Sequence, residues 1–231
     1  MLRYLFMIIF FSLSVNGIAT ELPEPEADLT VISHVAQAKA ALDAADYPLA
    51  KEKFETAFNL LKRAMDGDTS INSEGKVGTG VFTRHLDGPE IEETLYNSDL
   101  PLFQRAANLA ASAANAAKRI GDLKFASQFY SKAGELHNGN APAQIWYKKA
   151  AENYAALEDY ASALAEADKA GEVAIKFYPE RETHLCLVED LAAFFSEQAD
   201  KVESISPLLA GEFASRAVRF SHGLTSGDFE G

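Results

Sequence analysis

The chain has 231 residues, of which 48% are hydrophobic and 10% aromatic, so it can bury a core and is not wholly disordered. One domain is expected for this length. Its 34 acidic and 21 basic side chains give a formal net charge of -13. An acidic surface repels phosphate backbones and anionic lipid headgroups, which disfavours general binding to nucleic acids or membrane surfaces.

Residues 1–19 have the layout of a secretory signal peptide. Arg3 supplies a positive charge, residues 4–13 form an apolar run, and Gly17-Ile18-Ala19 places small residues before a cleavage site after Ala19. The apolar run is shorter than the roughly 20 residues that a membrane-spanning helix needs. An uncleaved N-terminal anchor is the alternative. We expect a protein exported to a bacterial periplasm or secreted, with no integral membrane segment after cleavage.

The remainder of the chain divides into four parts. Residues 20–30 are acidic and contain proline, and we expect a mobile leader there. A helical domain is predicted over 31–220. A polar stretch with several glycines, 66–100, is predicted to be an insertion within this domain, and 221–231 a flexible tail.

Three segments of the domain align without a gap, beginning at Ala45, Gly121 and Glu158. In each, an aspartate is followed four residues later by an alanine, and a second alanine follows seven residues after the first. The alanine pairs are Ala50/Ala57, Ala126/Ala133 and Ala163/Ala170, with Phe54, Tyr130 and Ala167 between them. Residues at i, i+4 and i+7 share one helix face, and small residues there let a neighbouring helix approach closely.

Each aligned segment is predicted to be the second helix of a pair. Asp46, Asp122 and Asp159 stand where a helix N-cap belongs, because their carboxylates can accept hydrogen bonds from the first amides of a helix. The preceding segments, 31–44, 101–120 and 143–157, are periodically apolar and are predicted to be the first helices. The unit is therefore helix, tight turn, helix, over about 34 residues.

This unit resembles the tetratricopeptide repeat family over 31–64, 107–138 and 144–176. The resemblance implies an all-α, right-handed solenoid of antiparallel helix pairs with three repeats. A chance alanine-rich helical bundle is the alternative. Two further helices are predicted, over 180–201 and from Ser206-Pro207 to about Phe220, where Ala210, Ala214 and Ala217 weakly repeat the spacing. We interpret them as a degenerate fourth pair that caps the solenoid.

No pattern in the sequence indicates catalysis, a metal or a cofactor. The five histidines lack metal-ligand spacing, and Cys186 is the only cysteine, which excludes an intramolecular disulfide. His137 is predicted at a helix end, where a cation would suit the helix dipole. The segment from Asp66 resembles a calcium loop, but Ile71 occupies the position of the required glycine. Residues 75–80 match no phosphate-binding motif.

The resemblance further implies a concave groove lined by the first helices, in which a peptide or protein partner binds. Its face would include the following residues: Lys39 and Leu42; Asn108, Ala111, Asn115 and Lys118; Ile145, Lys148 and Glu152. Ala111 stands where the family's carboxylate clamp has a lysine, so that clamp is not reproduced. Trp146 is expected to pack between repeats. Replacing Asn115 and Lys148 by alanine is predicted to weaken binding and leave the melting temperature almost unchanged.

The function predicted from these features is that of an exported, non-catalytic adaptor that is a monomer or weak dimer. Two alternatives stay open. One is an envelope-active hydrolase with its site in the 66–100 insertion, because long insertions in compact domains are often functional. The other is a structural protein that self-assembles through its terminal repeats.

Overall fold

The computed structural model describes residues 24–67, 100–137, 142–177 and 181–221. Within these ranges the chain forms eight α-helices and no strand, which confirms the all-α fold class. The helices are α1 (Glu24–Asp43), α2 (Tyr47–Gly67), α3 (Leu102–Arg119), α4 (Leu123–Leu136), α5 (Ala143–Ala156), α6 (Tyr160–Phe177), α7 (Arg181–Val202) and α8 (Pro207–Ser221). Consecutive helices pack against one another, most extensively from α1 to α6 and between α7 and α8.

The turns that join α1 to α2, α3 to α4 and α5 to α6 have the same backbone geometry. Ala45, Gly121 and Glu158 have φ angles of 56°, 77° and 60°, in the left-handed region. The following amides, of Asp46, Asp122 and Asp159, donate to carbonyls five residues back at 2.8, 3.0 and 3.0 Å. This is the Schellman motif, which satisfies the last carbonyls of the first helix.

The same aspartates begin the second helices, as predicted. The carboxylate of Asp46 accepts from the amide of Leu49, that of Asp122 from Phe125 and that of Asp159 from Ser162, each at 3.2 Å. The hydroxyl of Ser206 accepts from the amide of Leu209 at 3.4 Å, at the start of α8. Each of the three aspartates therefore both ends a turn and caps the next helix, so the three connections have the same length.

The repeated small residues lie in the core. The paired alanines of the three second helices are all inaccessible to solvent, as are Phe54 and Ala167, while Tyr130 is 1% exposed. The buried side chains form two clusters, and α5 contributes to both. Its Trp146 and Ala150 belong to the first cluster, and its Tyr147 and Ala151 belong to the second. Adjacent residues on a helix point about 100° apart, so α5 packs against helices on two sides.

Three boundaries or positions differ from the predictions. The α1 helix begins at Glu24, within the stretch that was predicted to be a mobile leader. The α2 helix continues to Gly67, two residues into the predicted insertion. In α8, Ala214 is exposed and Phe213 is fully buried. The buried stripe of α8 is Ala210, Phe213 and Phe220, because a bulky ring replaces the small residue of the repeat.

Several predictions lie outside the described residues. These are the signal peptide, the insertion from residue 68 to residue 99, the tail from residue 222 and the side chain of Cys186. Among the described helices, none is both long enough and apolar enough to span a lipid bilayer.

Candidate functional site

Tyr130 connects the polar side chains of α3 and α5. It lies on α4, and its hydroxyl donates a hydrogen bond to Oδ1 of Asn115 on α3. Its ring stacks on that of Trp146 on α5, with centroids 6.0 Å apart and planes 9° apart. The Nζ of Lys149 lies 5.8 Å from the Tyr130 centroid and 5.6 Å from the Trp146 centroid. We call Asn115, Tyr130, Trp146, Lys149 and Glu152 the Tyr130 cluster.

The negative charge of Glu152 acts on the hydroxyl of Tyr130. Burial raises the pKa of Tyr130, and the negative charge of Glu152 raises it further. Tyr130 is therefore a protonated hydrogen-bond donor at any physiological pH. Tyr130 therefore interacts with two of the predicted site residues, since it donates a hydrogen bond to Asn115 and the charge of Glu152 acts on its hydroxyl.

The accessible face of α3 is a polar stripe. Asn108 and Asn115 are partly exposed and Lys118 is exposed, at positions that share one helix face. Ala111, which was predicted to belong to this face, is fully buried. That prediction is wrong because neighbouring helices cover the small side chain completely.

The predicted residues of α5 and α1 have different surroundings. Lys148 and Glu152 form an ion pair of 2.9 Å, with side chains 27% and 40% exposed. Ile145 and Leu42 are partly buried and pack against the first core cluster. Lys39 is partly buried. Within the described ranges, no hydrogen bond or ion pair links Lys39 or Lys118 to the Tyr130 cluster.

Sequence reasoning placed Tyr130 and Trp146 in the packing but missed the role of Tyr130. Trp146 is 4% exposed and stacked, which confirms that it packs between helices. At the position of Tyr130 the other repeats have Phe54 and Ala167, which carry no polar atom. A hydroxyl at a buried repeat position needs a partner, and that requirement would have indicated a link to the neighbouring first helix. The pairing with Asn115 itself depends on the tertiary arrangement.

His137 does not act as a cation at the end of α4. Its side chain is 5% exposed and meets the ring of Phe103 edge-on, with centroids 6.4 Å apart. Burial lowers the pKa of His137 to about 4, so the imidazole is neutral at pH 7. The predicted favourable interaction of a charged His137 with the helix dipole is therefore wrong.

A cleft of about 480 Å³ lies between α6 and α8, and it was not predicted from the sequence. Phe220 and Ile175 supply its apolar lining. The guanidinium of Arg216 crosses from α8 to Asp168 on α6 in a bidentate pair, at 3.1 and 3.0 Å. The charges on its two walls therefore neutralise each other across the cleft.

The described part of the chain contains no group of three or more His, Cys, Asp or Glu side chains that could hold a metal ion. No protein-family model matches the chain, and no curated protein matches it. The resemblance to tetratricopeptide repeats rests on the residues at the repeated positions of the sequence.

Proposed function

We propose that this chain is a tetratricopeptide-like adaptor that holds an extended segment of a partner protein along α3 and α5. The helix pairs would stack as a right-handed solenoid with these first helices on its concave side. The observation that supports this most is the Tyr130 cluster, since one buried tyrosine contacts side chains from both first helices. We infer that the polar groups of α3 and α5 border a common surface.

The chemistry of that surface suits a peptide main chain. With Oδ1 of Asn115 accepting from Tyr130, the Nδ2 group of Asn115 would donate to a carbonyl of the bound segment. The carboxamide of Asn108, about two helical turns from Asn115, offers both a donor and an acceptor. Lys118 and Lys148 add charged donors that can bind side-chain or terminal carboxylates. No step of this function requires catalysis.

The proposal is tested with peptides selected from a random display library against the mature protein. We expect Asn108→Ala with Lys118→Ala to abolish binding of the selected peptides. The matched control is Lys124→Ala with Gln128→Ala, two exposed positions on the second helix α4, which should leave binding unchanged. Loss of binding in the control and retention in the α3 variant would refute the groove. Deletion of residues 68–86 should also leave binding intact, and its loss would favour a site in the insertion.

Asn115→Ala is a poor probe of this surface, contrary to the prediction from the sequence. The substitution removes the acceptor of the Tyr130 hydroxyl, and an unpaired buried polar group costs about 1–3 kcal/mol. We therefore expect the melting temperature to fall. Asn115→Asp keeps an acceptor for Tyr130 and replaces the amide donors offered to a partner by a negatively charged carboxylate.

We further propose that the protein is exported after removal of residues 1–19. Arg3, the apolar run 4–13 and Gly17-Ile18-Ala19 support this. Mass spectrometry of the native protein should find Thr20 or a near neighbour as the first residue. An intact Met1 in a membrane fraction would show an uncleaved anchor.

Self-association is a second candidate that one observation favours. The three most exposed large hydrophobic side chains of the described chain belong to the α7–α8 turn and to α8: Leu208 (80%), Ile205 (64%) and Val218 (56%). Light scattering over a range of concentrations tests it. A measured mass above that of the monomer would support assembly through α8 if the Leu208→Glu substitution lowers that mass. A monomer at every concentration would refute it.

A further inference from the structure

The cleft between α6 and α8 is separate from the proposed binding surface on α3 and α5. Both of its walls are second helices, so the cleft and that surface share no helix and no residue. Its volume of about 480 Å³ lies within the range of roughly 300–1,000 Å³ that is typical of small-molecule sites. The cleft can therefore hold a ligand of its own.

The buried part of the cleft lining is apolar. Gly171 and Phe220 are both buried, and the ring of Phe220 lies close to the backbone of Gly171 because no side chain intervenes. That ring also stacks on Phe195 of α7, with centroids 5.6 Å apart and planes 10° apart, which holds it in place. Ile175 is partly buried about one helical turn beyond Gly171. An apolar group that enters the cleft meets these side chains.

One pair of opposite charges holds the two walls together. The guanidinium of Arg216 on α8 donates to both carboxylate oxygens of Asp168 on α6, at 3.1 and 3.0 Å. The carboxylate of Glu212, one turn earlier on α8, lies 3.6 Å from the same guanidinium. The charge of Arg216 is therefore compensated within the protein, and its role in the cleft is structural.

A second pair of opposite charges lines the cleft without forming an ion pair. Glu172 on α6 and Arg219 on α8 are both exposed, and among the described residues no ion pair joins them. The guanidinium of Arg219 lies 5.9 Å from the ring centroid of Phe220, next to the apolar part of the lining. With Asp168 and Arg216 included, the lining has no net charge, in a chain whose formal net charge is -13. A ligand with a single charge is attracted by one wall and repelled by the other, whereas a ligand with both charges is attracted by both walls.

We propose that the cleft binds a small zwitterion with an apolar side chain, the chemistry shared by free amino acids and short peptides. The ammonium group of the ligand binds Glu172, its carboxylate binds Arg219, and its side chain packs on Phe220 and Ile175. Arginine suits the carboxylate because its planar guanidinium can donate two parallel hydrogen bonds. Such a ligand bridges α6 and α8, and it thereby links the last helix pair to the rest of the protein.

Nuclear magnetic resonance titrations of the isotope-labelled protein test this inference, because they detect weak binding and also locate it. The probes are leucine, the dipeptide of two leucines, and the same dipeptide with its amine acetylated or its carboxylate amidated. We expect the zwitterions to shift the backbone amides of 168–175 and 215–220. Each blocked dipeptide should bind about three- to fivefold more weakly than the free one, because a contact between exposed charges is worth up to about 1 kcal/mol. Tighter binding by leucine would identify free amino acids as the ligands, and tighter binding by the dipeptide would identify short peptides.

Two variants assign each charge of the ligand to its partner. With Arg219→Gln, the dipeptide and its amide should bind equally, while acetylation of the amine still weakens binding. With Glu172→Gln the pattern should be reversed. Arg63→Gln on α2 and Glu203→Gln in the turn after α7 make the same changes of charge at exposed positions, and they should preserve both preferences.

Three results would overturn the inference. One is equal binding of all four probes, which would leave the charged walls without a role. Another is no shift of the cleft amides with any probe. If library peptides still bind along α3 in that case, the proposed adaptor function stands without the cleft. The third is loss of dipeptide binding in the double variant Asn108→Ala with Lys118→Ala, which would place the dipeptide in the groove instead.

Discussion

The ring of Phe220 occupies the space that a side chain at position 171 would need. A Cβ atom built on Gly171 lies 2.5 Å from Cζ of Phe220. The preceding repeat has the same relationship, since a Cβ atom on Gly134 lies 2.6 Å from Cδ1 of Tyr147. Gly134 is covered by the next helix, α5, whereas Gly171 is covered by α8 rather than α7. The last helix pair therefore docks on α6 differently from the way α5 docks on α4.

Gly171→Ala should destabilise the protein because the added methyl group overlaps a rigid ring. Overpacking of this kind costs about 1–3 kcal/mol. Gly211→Ala is the control, because nothing lies within 4 Å of its added Cβ atom on the exposed face of α8. It should stabilise by about 0.5–1 kcal/mol through helix propensity. Urea denaturation measures both, and equal effects would contradict the observed contact.

The repeated alanines should tolerate no enlargement. Ala163→Leu places a bulky side chain at a fully buried helix contact, with an expected cost of about 1–3 kcal/mol. Ala165→Leu makes the same change at an exposed position two residues along α6 and should be nearly neutral. Thermal melts that fail to separate the two variants would contradict the register of α6.

Lys132 and Lys169 are unsuitable as exposed control positions for these substitutions. The Nζ of Lys132 lies 3.9 Å from the ring centroid of Phe129, and that of Lys169 lies 2.7 Å from Oε1 of the buried Glu166. Both lysines are partly buried. Replacing either removes a specific contact, so neither reports on an inert surface.

At the turn residues with left-handed backbone, adding glycine and removing glycine should have opposite effects on stability. A side chain in this conformation costs about 1–2 kcal/mol, and glycine avoids that cost. Glu158→Gly should therefore stabilise the protein, and Gly121→Ala should destabilise it, each by about 1 kcal/mol. Differential scanning calorimetry provides the measurement. Destabilisation by Glu158→Gly would show that its side chain contributes more than its backbone strain costs.

Asp122→Ala should cost more than Asp159→Ala. Each substitution removes an N-cap, worth about 1 kcal/mol. Asp122 in addition accepts a 2.6 Å hydrogen bond from Lys51 on α2, whose Nζ lies 3.8 Å from the ring centroid of Phe125. Because both side chains are partly exposed, this pair adds only about 0.2–1 kcal/mol.

The hydrogen bond from Lys51 lowers the pKa of Asp122. The stability that this hydrogen bond contributes is present above the ordinary carboxyl pKa. It is lost as the pH falls through the pKa of Asp122 in the folded protein. Denaturation at pH 7 and at pH 3 should therefore show a smaller difference between the two alanine variants at the lower pH. An equal cost at pH 7 would mean that the pair with Lys51 contributes nothing.

His137 should make stability depend on pH. Its folded pKa of about 4 lies below the ordinary value of 6.5, so the unfolded chain binds a proton more readily. Stability is therefore full above pH 6.5 and falls as the pH drops towards 4, by about 2 kcal/mol between pH 7 and pH 5. His137→Gln should lose this part of the pH dependence, and His34→Gln should retain it. The same slope in all three proteins would contradict the burial of His137.

Part of the site could be predicted and part could not. Asn115, Lys148 and Glu152 followed from their register on first helices, because helical periodicity alone decides which residues share a face. Helical periodicity does not decide which residues of that face are exposed to solvent. Ala111 and Asn115 share a face, but only the packing of neighbouring helices covers the first and leaves the second partly exposed. Lys149 was missed because its contacts come from Tyr130 and Trp146.

The sequence by itself determined the helices and the turns, since these depend on nearby residues. Asp46, Asp122 and Asp159 cap helices that begin one residue later, and their preceding residues form the left-handed turn, all within about six residues of chain. The tertiary structure decided the pairing of Tyr130 with Asn115, the burial of His137 and the contact between Phe220 and Gly171. The residues of each contact lie on different helices, and whether they meet depends on how those helices dock on one another. Their contacts depend on the shape of packed side chains, which the pattern of polar and apolar residues does not specify.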